Sequence, residues 1–190
     1  SMPNHKTLAI ATLVLVIYSL NHDNSVFAEA EQEQLRESQL KWKQLRTSCA
    51  GNYSYTVTTL SFTGYRTTTT ITMRDNKVHQ RKYESFAGVP RVQLPLKPGD
   101  KAPVVKPLKS WTETGVKLGT HKEGTKPQTL DTLYELATKI VKRDLAPHEK
   151  RYVRFFKNGL LKSCFTIDTR IADDAPINGV SINSITPSSK

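Results

Sequence analysis

Three short turn signals, Thr63-Gly64, Asp75-Asn76 and Asn158-Gly159, sit between runs rich in β-branched and aromatic residues. Such a turn between two strand-forming runs is the local signature of an antiparallel hairpin. Residues 52–62, 65–74 and 77–86 therefore predict a three-stranded meander. Arg151–Lys157 and Leu160–Asp168 predict a hairpin around Asn158-Gly159, a pair suited to a type I′ turn. A last strand, Val180–Ile185, follows the turn at Asn178-Gly179. Two segments break this pattern. Glu31–Ser48 lacks Gly and Pro and places Leu35, Trp42 and Leu45 on one helical face, with Ser38 between them. Thr129 can cap a second helix whose apolar positions are Leu130, Leu133, Tyr134, Ala137, Ile140 and Val141. Lys139, Lys142 and Arg143 stand near its end, where cations complement the helix dipole. The expected fold class is α+β: a mainly antiparallel sheet, made of the N-terminal meander plus the C-terminal hairpin and strand, with two packed helices.

Strand parity assigns faces. A two-residue turn at Asp75-Asn76 puts Met73 opposite Val78 and Ile71 opposite Gln80, on a face apolar enough for core. The other face then carries Arg66, Thr68, Thr70, Thr72, Arg74, Lys77, His79 and Arg81, a hydroxyl and cation surface expected to meet water. In the C-terminal hairpin the same reasoning pairs Phe156 with Leu161 and Tyr152 with Phe165, with Cys164 beside Val153 on the opposite face.

The N-terminus sets the compartment. A short basic stretch, Met2–Lys6, precedes an apolar run from Thr7 to Leu20, and Ala28-Glu29-Ala30 offers small residues where signal peptidase requires them. Residues 1–30 are read as a signal peptide, with Ser1 a cloning remnant, and residues 31–190 as one domain. The apolar run is shorter than the roughly 20 residues that span a bilayer. The chain holds 28 basic and 17 acidic side chains, a net +11, and loss of Lys6, Asp23 and Glu29 with the leader raises this to +12. A periplasmic or extracellular protein with that charge is expected to meet an anionic polymer, surface or protein. Export argues against an intracellular nucleic acid. In an oxidising compartment the two cysteines, Cys49 and Cys164, are expected to pair. Closing so long a loop would restrict the unfolded chain by about 4–5 kcal/mol.

Residues 87–128 differ from the rest, with prolines at 90, 95, 98, 103, 107 and 127 and five glycines. A structureless excursion of this length is unusual inside a compact domain. Val104-Val105 and Trp111–Leu118 are its best strand candidates, and Arg91–Lys109 is expected to be extended because prolines forbid regular pairing.

Several motifs together resemble a family of small exported domains of unknown function. They are Trp42 in the first helix, Tyr53-Ser54-Tyr55 in the first strand, the turn Asp75-Asn76-Lys77-Val78, and Thr129-Leu130-Asp131-x-Leu133-Tyr134 at the second helix. Asn158-Gly159-Leu160-x-x-x-Cys164, and Ile167-Asp168 followed by Ala172-Asp173-Asp174, complete the set. The resemblance covers most of residues 40–186. It implies a single α+β domain of bacterial envelope or secreted proteins and carries over no catalytic residue. The proline-rich stretch before Trp111 departs from the family pattern.

Chemistry-bearing patterns are sparse. There is no Gly-x-Ser-x-Gly nucleophile elbow, and the glycines at 115, 119 and 124 lack the strand, the Gly-Lys-Ser/Thr ending and the helix start of a phosphate loop. His121 and Glu123, spaced His-x-Glu in a glycine-rich loop, together with Glu113 upstream mark where an enzyme or metal site would be, but two or three ligands there do not define a metal site. No metal and no cofactor is assigned. The residues expected to contact a partner are Arg66, Arg74, Lys77, His79, Arg81, Trp111 and His121, in a non-catalytic binding or structural module. Two alternatives are an enzyme acting near Glu113, His121 and Glu123, and an inhibitor-like module that inserts its proline-rich segment into a partner.

Overall fold

The computed structural model describes residues 29–88, 105–171 and 178–188. Nearly all of the leader, most of the proline-rich stretch and Ala172-Asp173-Asp174 lie outside the described residues. Helix α1 (29–48) is followed by β1 (Tyr53–Leu60), β2 (Arg66–Arg74), β3 (Lys77–Phe86) and β4 (Lys109–Thr114). A 3-10 turn (Gly115–Lys117) and a long loop lead to α2 (Leu130–Lys142), then β5 (Glu149–Phe155), β6 (Leu161–Asp168), β7 (Asn178–Ser181) and β8 (Ser184–Pro187). The fold is α+β, with every strand pair antiparallel.

One sheet has the order β4-β3-β2-β1-β8 and the other β5-β6-β7. The single C-terminal strand expected over Val180–Ile185 is in fact two short strands belonging to different sheets. The chain changes sheet at Ile182 and Asn183, where Ile182 N–H donates to Lys162 O (2.8 Å) and Asn183 N–H to Thr56 O (2.8 Å). Asn183 Oδ1 also accepts from Thr58 N–H (2.6 Å). The two sheets thus meet at a corner, which is how a strand joins sheets of different direction. β4 stops at Thr114, short of the expected Leu118, and Val105 lies outside any strand.

The helices cover the inner side. Leu35 and Trp42 of α1 and Leu130, Leu133, Tyr134, Ala137 and Val141 of α2 join Tyr53, Tyr55, Ile71, Met73, Leu161, Val180 and Ile182 in one core. Tyrosine hydroxyls satisfy the polar groups that this packing buries. Tyr134 OH accepts from Leu161 N–H (2.9 Å) and meets Ser38 Oγ (2.8 Å), Tyr53 OH accepts from Leu130 N–H (3.2 Å), and Tyr55 OH donates to Gln128 O (2.7 Å). Thr129 caps α2 as expected, accepting from Thr132 N–H (3.1 Å).

Two turns follow different rules. Asp75 and Asn76 both have positive φ (49° and 63°), as a type I′ turn requires. At Asn158-Gly159 only the glycine does (φ 82°), and Phe156 N–H donates to Leu160 O. This three-residue loop pairs Phe155 with Leu161, in place of the expected Phe156 with Leu161, and the irregularity ends within one residue pair. Arg154↔Ser163, Val153↔Cys164 and Tyr152↔Phe165 keep the expected register.

The cysteines are not bridged. Both are buried and free. Cys49 Sγ, at the end of α1, donates to Arg46 O (3.5 Å), whereas Cys164 Sγ lies under the middle of α2 and donates to Ala137 O (3.7 Å). The parity that placed Cys164 beside Val153 holds, but the end of α1 does not reach it. Burial pushes the Cys164 thiol up to about 11, so it is a poor nucleophile at neutral pH. A thiol reagent is expected to find no reactive cysteine in the native protein and two in denaturant. Zero thiols in denaturant would restore the bridge.

Candidate functional site

The inner site begins with one extra residue. In the β2–β3 pair, Met73 faces Val78, but Thr72 faces Gln80 and Ile71 faces Arg81, so a bulge at His79 shifts the register. A bulge reverses the inside-outside alternation of the residues beyond it. Arg81, expected to meet water, therefore turns inward beside Ile71 and is 1 % exposed. His79 is half-buried within the irregularity. Tyr83 and Ser85 turn inward with Arg81, and Gln80, Lys82 and Glu84 take the outer face.

Across the next strand pair Arg81 faces Glu113, itself 1 % exposed, and Arg81 Nη1 donates to Glu113 Oε2 (2.9 Å). The remaining donors of Arg81 go to the loop after β4. Nε donates to Thr125 O (2.7 Å), Nη1 also to His121 O (3.2 Å), and Nη2 to Glu123 O. Glu113 holds the same loop from its other side. Its carboxylate accepts from Gly119 N–H (2.7 Å), His121 N–H (2.6 Å), Thr120 Oγ1 (3.1 Å) and His121 Nδ1 (2.8 Å). Burial works to raise the Glu113 carboxyl. The backbone N–H groups of His121 and Gly119, with the His121 ring and Arg81, outweigh it and hold the carboxyl well below its ordinary range.

Aromatic rings complete the clamp. Trp111 stacks on Tyr83 (centroids 5.1 Å) and on His121 (4.2 Å), and the Arg81 guanidinium lies 4.7 Å from the Trp111 ring centroid. Thr69 Oγ1 accepts from Thr125 N–H (3.0 Å). Gly124 is required there, since its φ is 78° and a Cβ would come within 2.6 Å of Thr69 Oγ1. No residue from 115 to 129 is buried, so polar bonds and ring stacking hold this loop over the part of the sheet that the helices leave open.

The outer face is built differently. Reading across the strands, one row runs Thr186, Ser54, Thr72, Gln80, Thr114, and the next Ser184, Thr56, Thr70, Lys82, Thr112. A third runs Thr58, Thr68, Glu84, Ser110. None of these side chains is buried. Arg74 pairs with Lys77 at one end of the face and Arg66 stands at the other. Glu84 is paired with Lys82 (2.8 Å).

Of the residues expected to contact a partner, Arg81, Trp111 and His121 thus come together on the inner side. Arg66, Arg74 and Lys77 remain on the outer one. The loop trio separates: Glu113 and His121 touch, but Glu123 turns to Lys109. Among the described residues no three His, Cys, Asp or Glu side chains are grouped to hold a metal ion, and no helix is long and apolar enough to cross a membrane. Sequence reasoning missed the inward role of Arg81 and the outward placement of Lys82, because a bulge leaves no mark on hydrophobic periodicity. Comparison with known proteins found no match to a protein-family model, to a curated protein or to a solved structure.

Proposed function

We propose that the protein is an extracytoplasmic, non-catalytic binding module that contacts an anionic surface, polymer or protein through the outer face of its five-stranded sheet. The observation that carries this reading is the register. It lines up unburied hydroxyls in three rows across the strands, with Lys82 in the middle row and Arg74 and Lys77 beyond the first. Strands lie about 4.8 Å apart, so an extended polymer laid along a row meets a hydroxyl or cation at nearly every strand. The net charge of +11 favours an anionic one.

An enzyme centred on Glu113 has less support. Both of its oxygens are committed to loop groups and Arg81 through five hydrogen bonds. Arg81 leaves the set of contact residues because it is buried, and Trp111 and His121 become parts of the loop clamp. The residues of the inhibitor-like reading lie mostly outside the described ones.

Binding to dextran sulfate and to polygalacturonate tests the proposal. The protein is expected to bind with an affinity that falls as salt rises. Replacing Arg74, Lys77 and Lys82 together by serine is expected to weaken it about tenfold, each exposed charge contributing a few tenths to one kcal/mol. If that triple variant binds like the parent, whereas serine at Lys117, Lys122 and Lys126 of the loop abolishes binding, the outer face is the wrong surface.

A further inference from the structure

The outer face ends in a fourth row of another character. Leu60 pairs with Arg66 and Arg66 with Phe86, while Leu108 N–H donates to Ser85 O and so brings Leu108 beside Phe86. Beyond this row the three-residue loop Phe62-Thr63-Gly64 closes the β1–β2 hairpin, with Gly64 at φ 83°. Phe62 is 85 % exposed, Leu60 69 % and Leu108 66 %. Half of the exposed large apolar side chains among the described residues gather at this one end, which scattered surface apolar groups do not do.

Charge and shape select the occupant. The Arg66 guanidinium lies 4.5 Å from the Phe86 ring centroid, and Lys106, two residues before Leu108, is exposed. The nearby carboxylates of Glu84 and Glu123 are each taken by a lysine, Lys82 and Lys109. A narrow hairpin tip carries too little area for a stable protein interface, which buries upward of about 1,000 Å². A bilayer needs no such area, because a few apolar side chains can enter its interface to about 5–10 Å while cations stay among the headgroups.

We propose that the hairpin tip, with Phe62 leading and Leu60 and Arg66 side by side in the row behind it, inserts into the surface of an anionic lipid bilayer. This contact is separate from the polymer-binding rows and does not depend on them. The test is co-sedimentation of the full chain with vesicles of mixed phosphatidylglycerol and phosphatidylcholine, and with phosphatidylcholine alone.

The protein is expected to sediment with the anionic vesicles only. Leu60→Ser with Phe62→Ser is expected to weaken this about tenfold or more, with an unchanged circular dichroism spectrum, since both side chains are exposed. The serine triple at Arg74, Lys77 and Lys82 is expected to retain tip insertion. A Phe62→Trp variant reports depth directly, by a blue-shifted emission quenched by brominated lipid. Absence of that shift, or equal sedimentation of the double serine variant, would overturn the inference. So would sedimentation velocity showing a dimer that the double variant dissolves, because the tip would then be covered by a second copy of the chain.

Discussion

Arg81→Met is expected to destabilise the fold by about 3–5 kcal/mol, the cost of removing one partner from a buried ion pair. The substitution strips Glu113 of its cation and leaves the carbonyls of His121, Glu123 and Thr125 without their donor. Because no buried side chain anchors the loop, it is also expected to come off the sheet before the rest unfolds. Trypsin should then cut at Lys117 or Lys122 much faster than in the parent. Replacing both partners, Arg81→Met with Glu113→Leu, is expected to cost less than the two single changes added together, since no orphan charge remains. A single variant within about 1 kcal/mol of the parent, cut by trypsin at the parent's rate, would show that the clamp holds nothing.

The same pair sets the acid limb of stability. The folded Glu113 carboxyl is depressed from its ordinary value of 4.5, so the unfolded chain takes up its proton first as pH falls. Its contribution is complete above the unfolded value and disappears as pH drops below it, towards the folded one. Glu149 acts in the same direction: Arg143, and then the Ala146 N–H, lower its carboxyl to about 2. Stability is therefore expected to decline from about pH 4.5 downward. Glu113→Gln should be less stable at neutral pH and flatten that decline.

The second large effect lies in the core. Trp42→Ala is expected to cost about 3–5 kcal/mol in urea denaturation, the range for a fully buried aromatic residue. Trp42 is 0 % exposed, lies edge-on to Tyr53 at 4.8 Å and stacks on Tyr134 at 6.5 Å. Its Nε1 donates to Asp131 Oδ1 (3.2 Å), which also accepts from Arg46 (2.7 Å). One side chain thus joins α1, α2 and the sheet, and the surrounding rings are too rigid to fill the space it leaves. Leu40→Ala, on the exposed side of the same helix, should change stability by less than about 0.5 kcal/mol. Equal effects at the two positions would contradict the packing.

Local physics explains how much was legible. Amphipathic spacing placed Leu35, Ser38 and Trp42 on the buried stripe of α1, and Thr129 marked the start of α2. The Asp75-Asn76 turn was readable because adjacent residues able to adopt positive φ announce it. Parity held from Arg66 to Val78 and then failed, since nothing near His79 shows that a residue will be left out of the ladder. That one residue moved Arg81 from the expected contact surface to the centre of a buried clamp. The cysteines failed for a related reason, as compartment chemistry states that two thiols can pair but not that folding brings them together.

What the chain's own sequence determined is the kind and order of its elements up to β6, its basic charge and the hydroxyl-rich strands of its outer face. Each follows from side-chain preferences acting over a few residues. What only the tertiary structure decided is the side of the sheet on which Arg81 and Glu113 lie, the separation of Cys49 from Cys164, and the gathering of Leu60, Phe62 and Leu108 at one end. Those outcomes depend on register and on contacts between residues far apart in the chain, where a shift of one position exchanges inside for outside.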